Sequence, residues 1–233
     1  LQLVKLLADK DVKELAIRAL ADRKTKNKLV PIQPIILALQ DASPRVRVSA
    51  AIALGRLGKQ EAIPALLQVK VPNSFVAPPK DQEGPHATPN SAIIPAHVAV
   101  QALVKLNAVN ACVKAISGPN STIALWALRY MHQPTAVNGL IAAYKKSTNI
   151  TFKKQLLANL ARLYKKEADY EGEYWWSTKP NGHGPYYKTV DWESSPIIKD
   201  FILAEFQKAN EADKAYFVDL NEKNQMEIAE LGT

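Results

Sequence analysis

Residues 41–69 read DASPRVRVSAAIALGRLGKQEAIPALLQV, and the fold follows from how this stretch divides. Asp41 and Ser43 are residue types that cap a helix start, and Pro44 suits a first turn, where no backbone N–H needs a partner. Val46, Ala50, Ala53, Leu54 and Leu57 recur at steps of three and four, which places one apolar stripe on a helix. Gly58 ends that helix, and Ala62, Ile63, Leu66 and Leu67 give the stripe of a second, with Pro64 in its first turn. Ala50, Ala51, Ala53 and Gly55 are small enough for a neighbouring helix to approach closely. The stretch is a helical hairpin, and one hairpin cannot bury both faces, so the reading calls for similar neighbours.

The residues that carry this reading are Asp41, Pro44, Val46, Arg47, Ala50, Ala51, Ala53, Leu54, Gly55, Leu57 and Gly58, followed by Ala62-Ile63-Pro64-Ala65-Leu66-Leu67. In that order and spacing they resemble a HEAT repeat. The resemblance implies an all-α fold, a HEAT-like α-solenoid whose hairpins wind as a right-handed superhelix. Proteins of that build mostly hold partners, and a minority do chemistry.

Working outward, Val12, Ala16, Ala19 and Leu20 match Val46, Ala50, Ala53 and Leu54 at a constant offset of 34 residues. A repeat therefore precedes residue 41, its first helix over 11–21 and its second carrying Ile32, Ile35, Ile36 and Leu39 inward. Leu1 to Leu7 reads as the second helix of a repeat before that one. Past residue 69, Val71-Pro72, Pro78-Pro79, Gly84-Pro85 and Pro89-Asn90 break helical pattern, so 70–92 is an inserted Pro-rich loop. The array resumes with Ala99, Ala102, Leu103 and Leu106, partnered by Val109, Cys112, Val113 and Ile116. It continues through Ala124, Ala127, Leu128 and Met131, then Val137, Leu140, Ile141 and Tyr144, then Phe152, Leu156, Leu157, Leu160 and Leu163. Trp126 and Tyr130, four apart, are expected on one packing face. The organisation expected is repeats over 1–164 with the 70–92 insertion, an aromatic-rich loop over 165–195, and capping helices over 196–233. In the last of these Ile197, Ile198, Phe201, Ile202, Phe206, Ala215, Phe217, Val218 and Leu220 are expected to face inward, and the tail to Thr233 to extend the final helix.

A chain of 233 residues with 47% hydrophobic content can bury a substantial core. No run approaches the roughly 18 apolar residues of a membrane span. The chain opens on Leu1 and enters helical pattern at once, without a visible signal peptide, as expected for a piece of a longer protein. Cys112 stands alone, so the chain itself offers no intrachain disulfide, cysteine-based zinc cluster or CxxCH haem attachment. Set among Ala111, Val113 and Ile116, it reads as a small buried hydrophobe. The net charge of +8 and pI near 9.4 leave two readings, a solvated basic surface or a track for phosphates. The second requires Arg45, Arg47, Arg56, Lys105, Arg129, Lys153, Lys154 and Arg162 to share one face, as in HEAT-like DNA glycosylases.

Motifs for chemistry are sparse. His86, His97, His132 and His183 lie far apart with no HExxH, and none adjoins a Glu, so the His-Glu pairs of HEAT-like iron hydroxylases are missing. Gly182-x-Gly184 runs into Pro185, which has no N–H to offer a phosphate, and no GxSxG is present. No catalytic, metal or cofactor residue is assigned in this chain.

One segment departs from the rest. Tyr170, Tyr174, Trp175, Trp176, Tyr186, Tyr187 and Trp192 crowd seven aromatic rings between positions 170 and 192, amid Gly172, Pro180, Gly182, Gly184 and Pro185. Such rings are suited to sealing a helical surface as a plug, or to stacking on a ligand or a neighbouring domain. Tyr174, Trp175, Trp176, Tyr186, Tyr187, Trp192 and His183 are the candidate contact residues. Carbohydrate stacking would fall to Trp175, Trp176, Tyr186 and Tyr187, with Asp169, Glu171, Glu173, Asp191 and Glu193 either flanking a sugar or simply solvated.

Tyr174-Trp175-Trp176-Ser177-Thr178-Lys179-Pro180, Gly184-Pro185-Tyr186-Tyr187-Lys188, Trp192-Glu193 and Ile197 resemble a WWxTxP…GPYY…W signature. It follows the HEAT region of certain large dehydrogenases of planctomycete-type bacteria, which are membrane-bound or secreted. Those proteins join a sugar-dehydrogenase-like β-propeller, a HEAT array and a C-terminal c-type cytochrome segment. The family's usual Asp–Thr/Ser–Arg stretch is here Asn181-Gly182-His183. The resemblance implies a non-catalytic scaffold from the periplasm or cell envelope that contacts other domains of its parent. Any haem c would belong to the parent and not to this chain.

Overall fold

A computed structural model describes residues 2–22, 28–72, 92–169 and 188–232. The protein is all-α in class. It divides into two compact units, Leu1–Ala127 and Leu128–Thr233.

In the first unit α1 (Gln2–Lys5) runs into a 3-10 turn, followed by α2 (Lys13–Ala21), α3 (Gln33–Leu37), α4 (Pro44–Leu57) and α5 (Ile63–Leu67). Then come α6 (Ile94–Lys105), α7 (Val109–Ala115) and α8 (Ser121–Leu128). Helix α4 packs against both α2 and α6, α3 packs against α4, and α5 packs against α6 and α7. Val46, Ala50, Ala53, Leu54 and Leu57 are buried, as the three–four spacing predicts. Leu20, Leu54 and Leu103 are fully buried, one on each stacked helix, and each burial stabilises by about 1.5–3 kcal/mol. A close approach is at Gly55, where a Cβ would lie 3.1 Å from both Cα and Cβ of Ala102. Gly58 takes the left-handed conformation (φ +68°) that ends α4. Asn107 does the same for α6 at φ +54°. There Ala108 N–H reaches the Leu103 carbonyl and Asn107 N–H that of Val104, a Schellman closure.

The start of α4 differs from expectation. Ser43 is the N-cap residue, but its side chain makes no capping bond. Asp41 organises the corner instead: its carboxylate accepts the Ser43 N–H at 2.9 Å and the Lys13 ammonium at 2.8 Å. Arg47 donates to the Asp41 and Ala42 carbonyls at 2.7 and 3.0 Å. The lysine hydrogen bond first, then the backbone N–H, holds the Asp41 carboxyl below its ordinary value. One repeat's α2 is thereby tied to the next repeat's entry.

In the second unit α9 (Pro134–Lys146) and α10 (Ile150–Tyr164) form a hairpin, and α11 (Ser195–Lys208) and α12 (Glu211–Lys223) follow. Helix α10 touches α9, α11 and α12, so Leu156, Leu157, Leu160, Ala161, Leu163 and Tyr164 are all buried. Asn149 caps it by accepting the Phe152 N–H at 2.9 Å. Between α10 and α11 stands a short antiparallel ladder, β1 (Lys166–Glu167) against β2 (Thr189–Val190), in register Lys166↔Val190.

Several inward assignments change. Ile197 is 48% exposed, while Ile198 and Ile202 fill the core side of α11. Ala215 is exposed as well, with Phe217 and Leu220 buried. The tail does not extend α12: it turns back at Gln225 (φ +50°). Buried Asn221 then holds it, donating to the carbonyls of Ile228 and Gly232 and accepting the Ile228 N–H. Trp126, half-buried, leans on His97 with ring centroids 5.9 Å apart, whereas Tyr130 is 40% exposed.

Candidate functional site

Of the seven candidate contact residues only Trp192 is described; Tyr174, Trp175, Trp176, His183, Tyr186 and Tyr187 lie outside the described residues, as does 73–91 of the Pro-rich insertion. What can be built is the foot of the aromatic segment. A helix C-terminus leaves carbonyls without intrahelical partners, and at the end of α10 three successive ones are taken by side chains. The Trp192 indole N–H donates to the Leu163 carbonyl at 2.7 Å. The Ser195 hydroxyl donates to Tyr164 at 2.6 Å and accepts the Trp192 backbone N–H at 2.9 Å. His132 Nε2 stands 3.0 Å from the Lys165 carbonyl. A carbonyl oxygen only accepts, so His132 carries its proton on Nε2. Its ring meets that of Trp192 edge-on at 5.4 Å. Burial holds the His132 pKa below the ordinary 6.5; Arg162 and Lys166 add to that, against the Lys165 hydrogen bond and Glu167. The β1–β2 ladder and an Ala168 N–H to Lys188 carbonyl bond of 2.8 Å close the foot of the loop. The polar edge of Trp192 is thus committed to the helix end.

The second feature is a groove of about 340 Å³ within the second unit, lined by Arg129 and Tyr130, by Ala158 and Arg162 of α10, and by Tyr216, Asp219, Leu220, Lys223 and Asn224 of the α12 region. Most of its polar groups are occupied. The Tyr216 hydroxyl donates to the Lys154 carbonyl at 2.7 Å, and burial pushes its pKa up to about 12. Lys223 pairs with Asp219 at 2.8 Å, and Asn224 donates to the Leu220 carbonyl at 2.9 Å. Arg129 is exposed at the edge, and Arg162 is half-buried. Among the described residues two buried polar atoms lack a hydrogen-bond partner, Asn159 Oδ1 and Arg162 Nη1, both on α10.

The cations required for a phosphate track are largely engaged. Arg45 pairs with Glu14 at 3.0 Å, Arg56 with Asp22 at 2.6 Å and Lys154 with Asp213 at 3.0 Å. Lys153 sits 4.2 Å over the Tyr144 ring, and Arg47 is bound to two carbonyls. Cys112 is buried, and desolvation pushes its thiol up to about 12, which makes it a poor nucleophile. Among the described residues no cluster of three or more His, Cys, Asp or Glu is placed to hold a metal ion, and no helix is long and apolar enough to cross a membrane.

The groove was only half legible beforehand. Arg129 and Arg162 belong to the basic set, but Tyr216 and Asp219 come from a helix distant in sequence. Arg162 lies off the apolar stripe of α10, on the side it shares with Ala158, so helix periodicity alone gave it no reason to be half-buried.

Comparison with known families agrees with the stacking of the first unit. The family model for HEAT repeats matches residues 1–76, and that part of the chain is a HEAT-repeat region. A search of curated proteins finds no match to the chain. HEAT repeats are interaction modules, and residues 1–76 carry them.

Proposed function

We propose that the chain is a non-catalytic scaffold that docks other domains of a larger redox protein, a dehydrogenase with a β-propeller and a c-type cytochrome segment. The observation that carries the scaffold reading is the HEAT-repeat match over residues 1–76 together with the close stacking of α2, α4 and α6. The parent is inferred from the WWxTxP…GPYY…W order of residues 174–192. The clasp of Trp192 and Ser195 on α10 supports a dedicated foot for that segment. In this reading the aromatic rings face a sister domain, catalysis and haem lie elsewhere in the parent, and the whole protein works in the periplasm or cell envelope.

The test is the coding sequence on either side of this chain. A propeller-type repeat and a leader before it, with a CxxCH after it, are expected; flanks with neither propeller nor CxxCH overturn the parent. For the docking role, the purified chain is titrated with the separately expressed flanking domains. Saturable binding lost in Trp175→Ala/Trp176→Ala, at unchanged melting temperature, is the expected result. Full binding by that variant removes the aromatic segment from the interface.

A further inference from the structure

The groove beside α10 has a charge pattern that its own residues do not resolve. Among the described residues that line it, three are cations, Arg129, Arg162 and Lys223, and one is a carboxylate, Asp219. That carboxylate is engaged by Lys223. Among the described residues Arg162 has a buried Nη1 with no hydrogen-bond partner, and Arg129 is exposed at the same groove. An unmade hydrogen bond at a charged donor is costly, and an acceptor brought to the Arg162 guanidinium would offset that cost. Guanidinium groups match planar, two-oxygen acceptors best.

We propose that this groove receives a carboxylate side chain from an acidic stretch of a partner polypeptide, with Arg162 and Arg129 as its cationic partners. The inference rests on the interaction-module reading and names the chemistry of the partner. Size and surroundings favour a protein over a nucleic acid. A volume of about 340 Å³ admits one or two side chains, and Leu220 and Ala158 offer an apolar wall for the residue beside the acid. A nucleic acid would need a row of unpaired cations along α10 to α12. There Lys154 pairs with Asp213, Lys208 with Glu205, Lys214 with Glu211 and Lys223 with Asp219.

The experiment measures fluorescence anisotropy of a fluorescein-labelled peptide of alternating Glu and Leu on the full chain, at low and physiological salt. Arg129→Gln/Arg162→Gln is expected to weaken binding by about tenfold or more. Lys145→Gln/Lys146→Gln, which removes the same charge from exposed residues of α9, is expected to leave binding unchanged. A peptide with Gln in place of Glu is expected not to bind. Equal loss in both double variants reduces the effect to net charge and overturns the site, as does undiminished binding by the groove variant. A single-stranded oligonucleotide that displaces the peptide more effectively than unlabelled peptide does, and itself loses affinity in the groove variant, makes the groove a phosphate site and overturns the protein partner.

Arg162→Met supplies the stability control. A binding arginine with an unmet donor is expected to melt no higher than its methionine variant; a clear fall in melting temperature on substitution makes Arg162 structural and overturns the assignment. Failure here stays distinguishable from failure of the scaffold. A chain that ignores the acidic peptide yet still binds its flanking domains loses the groove and keeps the module.

Discussion

The two units solve the same problem, covering the faces of their helices, by opposite means. In the first, helices come close because side chains are small: a methyl group on Gly55 of α4 would lie 3.1 Å from the Cα and Cβ of Ala102 on α6, a tight contact. In the second, α10 packs against α9, α11 and α12 and its end is fastened by polar side chains from distant positions, Trp192, Ser195 and His132, each on a successive carbonyl. Close stacking needs only short-range spacing and can be repeated. A clasp needs residues brought from distant positions, so it marks where repetition ends.

If the clasp carries the second unit, Trp192→Ala produces the largest loss, about 3–4 kcal/mol from ring burial and a freed carbonyl. Trp192→Phe, which keeps a ring and removes the indole N–H, costs about 1–2 kcal/mol. Urea denaturation of both variants separates ring from hydrogen bond, and equal losses would show that the ring contributes nothing beyond the indole hydrogen bond. In the first unit the matching change is Gly55→Leu, which forces a side chain onto the Ala102 backbone at a cost of about 2–3 kcal/mol. A melting temperature unchanged in Gly55→Leu would mean the helices are not closely stacked there.

A smaller, pH-dependent effect belongs to the clasp alone. Burial keeps the His132 pKa below 6.5, so the unfolded chain takes up this proton first as pH falls. The contribution of neutral His132 is complete above pH 6.5 and is lost progressively below it, down through the folded-state value. Melting temperature is therefore expected to rise between pH 5 and pH 7, with a shallower slope in His132→Gln, which keeps a donor for Lys165 but cannot titrate. Identical slopes would place the pH dependence elsewhere. The smallest change is a gain: Gln225 sits at φ +50°, and Gln225→Gly is expected to stabilise by about 0.5–1 kcal/mol by relieving that conformation. A loss on the same assay would show that the Gln225 side chain itself braces the tail.

The fold was readable where the pattern is local. Spacing at three and four placed the buried face of α4, Gly58 marked its end, and the offset of 34 residues found its neighbour α2. The errors fall where two answers share one pattern. Ile197 and Ile198 adjoin on a helix, so only what packs against α11 decides which is covered. Ser43 and Asp41 are both good caps, and Lys13, 28 residues earlier, selects Asp41. Trp192 stood out by composition, but its role on α10 depends on a carbonyl 29 residues away.

By itself the sequence determined the all-α class, the hairpin unit and the HEAT character of residues 1–76, because helix periodicity, end signals and small-residue spacing act over a few residues. Only the tertiary structure decided which carbonyls Trp192, Ser195 and His132 occupy and that Arg129 and Arg162 share a groove with Tyr216 and Asp219. Those arrangements depend on the directions in which distant backbones meet, and no short-range pattern encodes such directions.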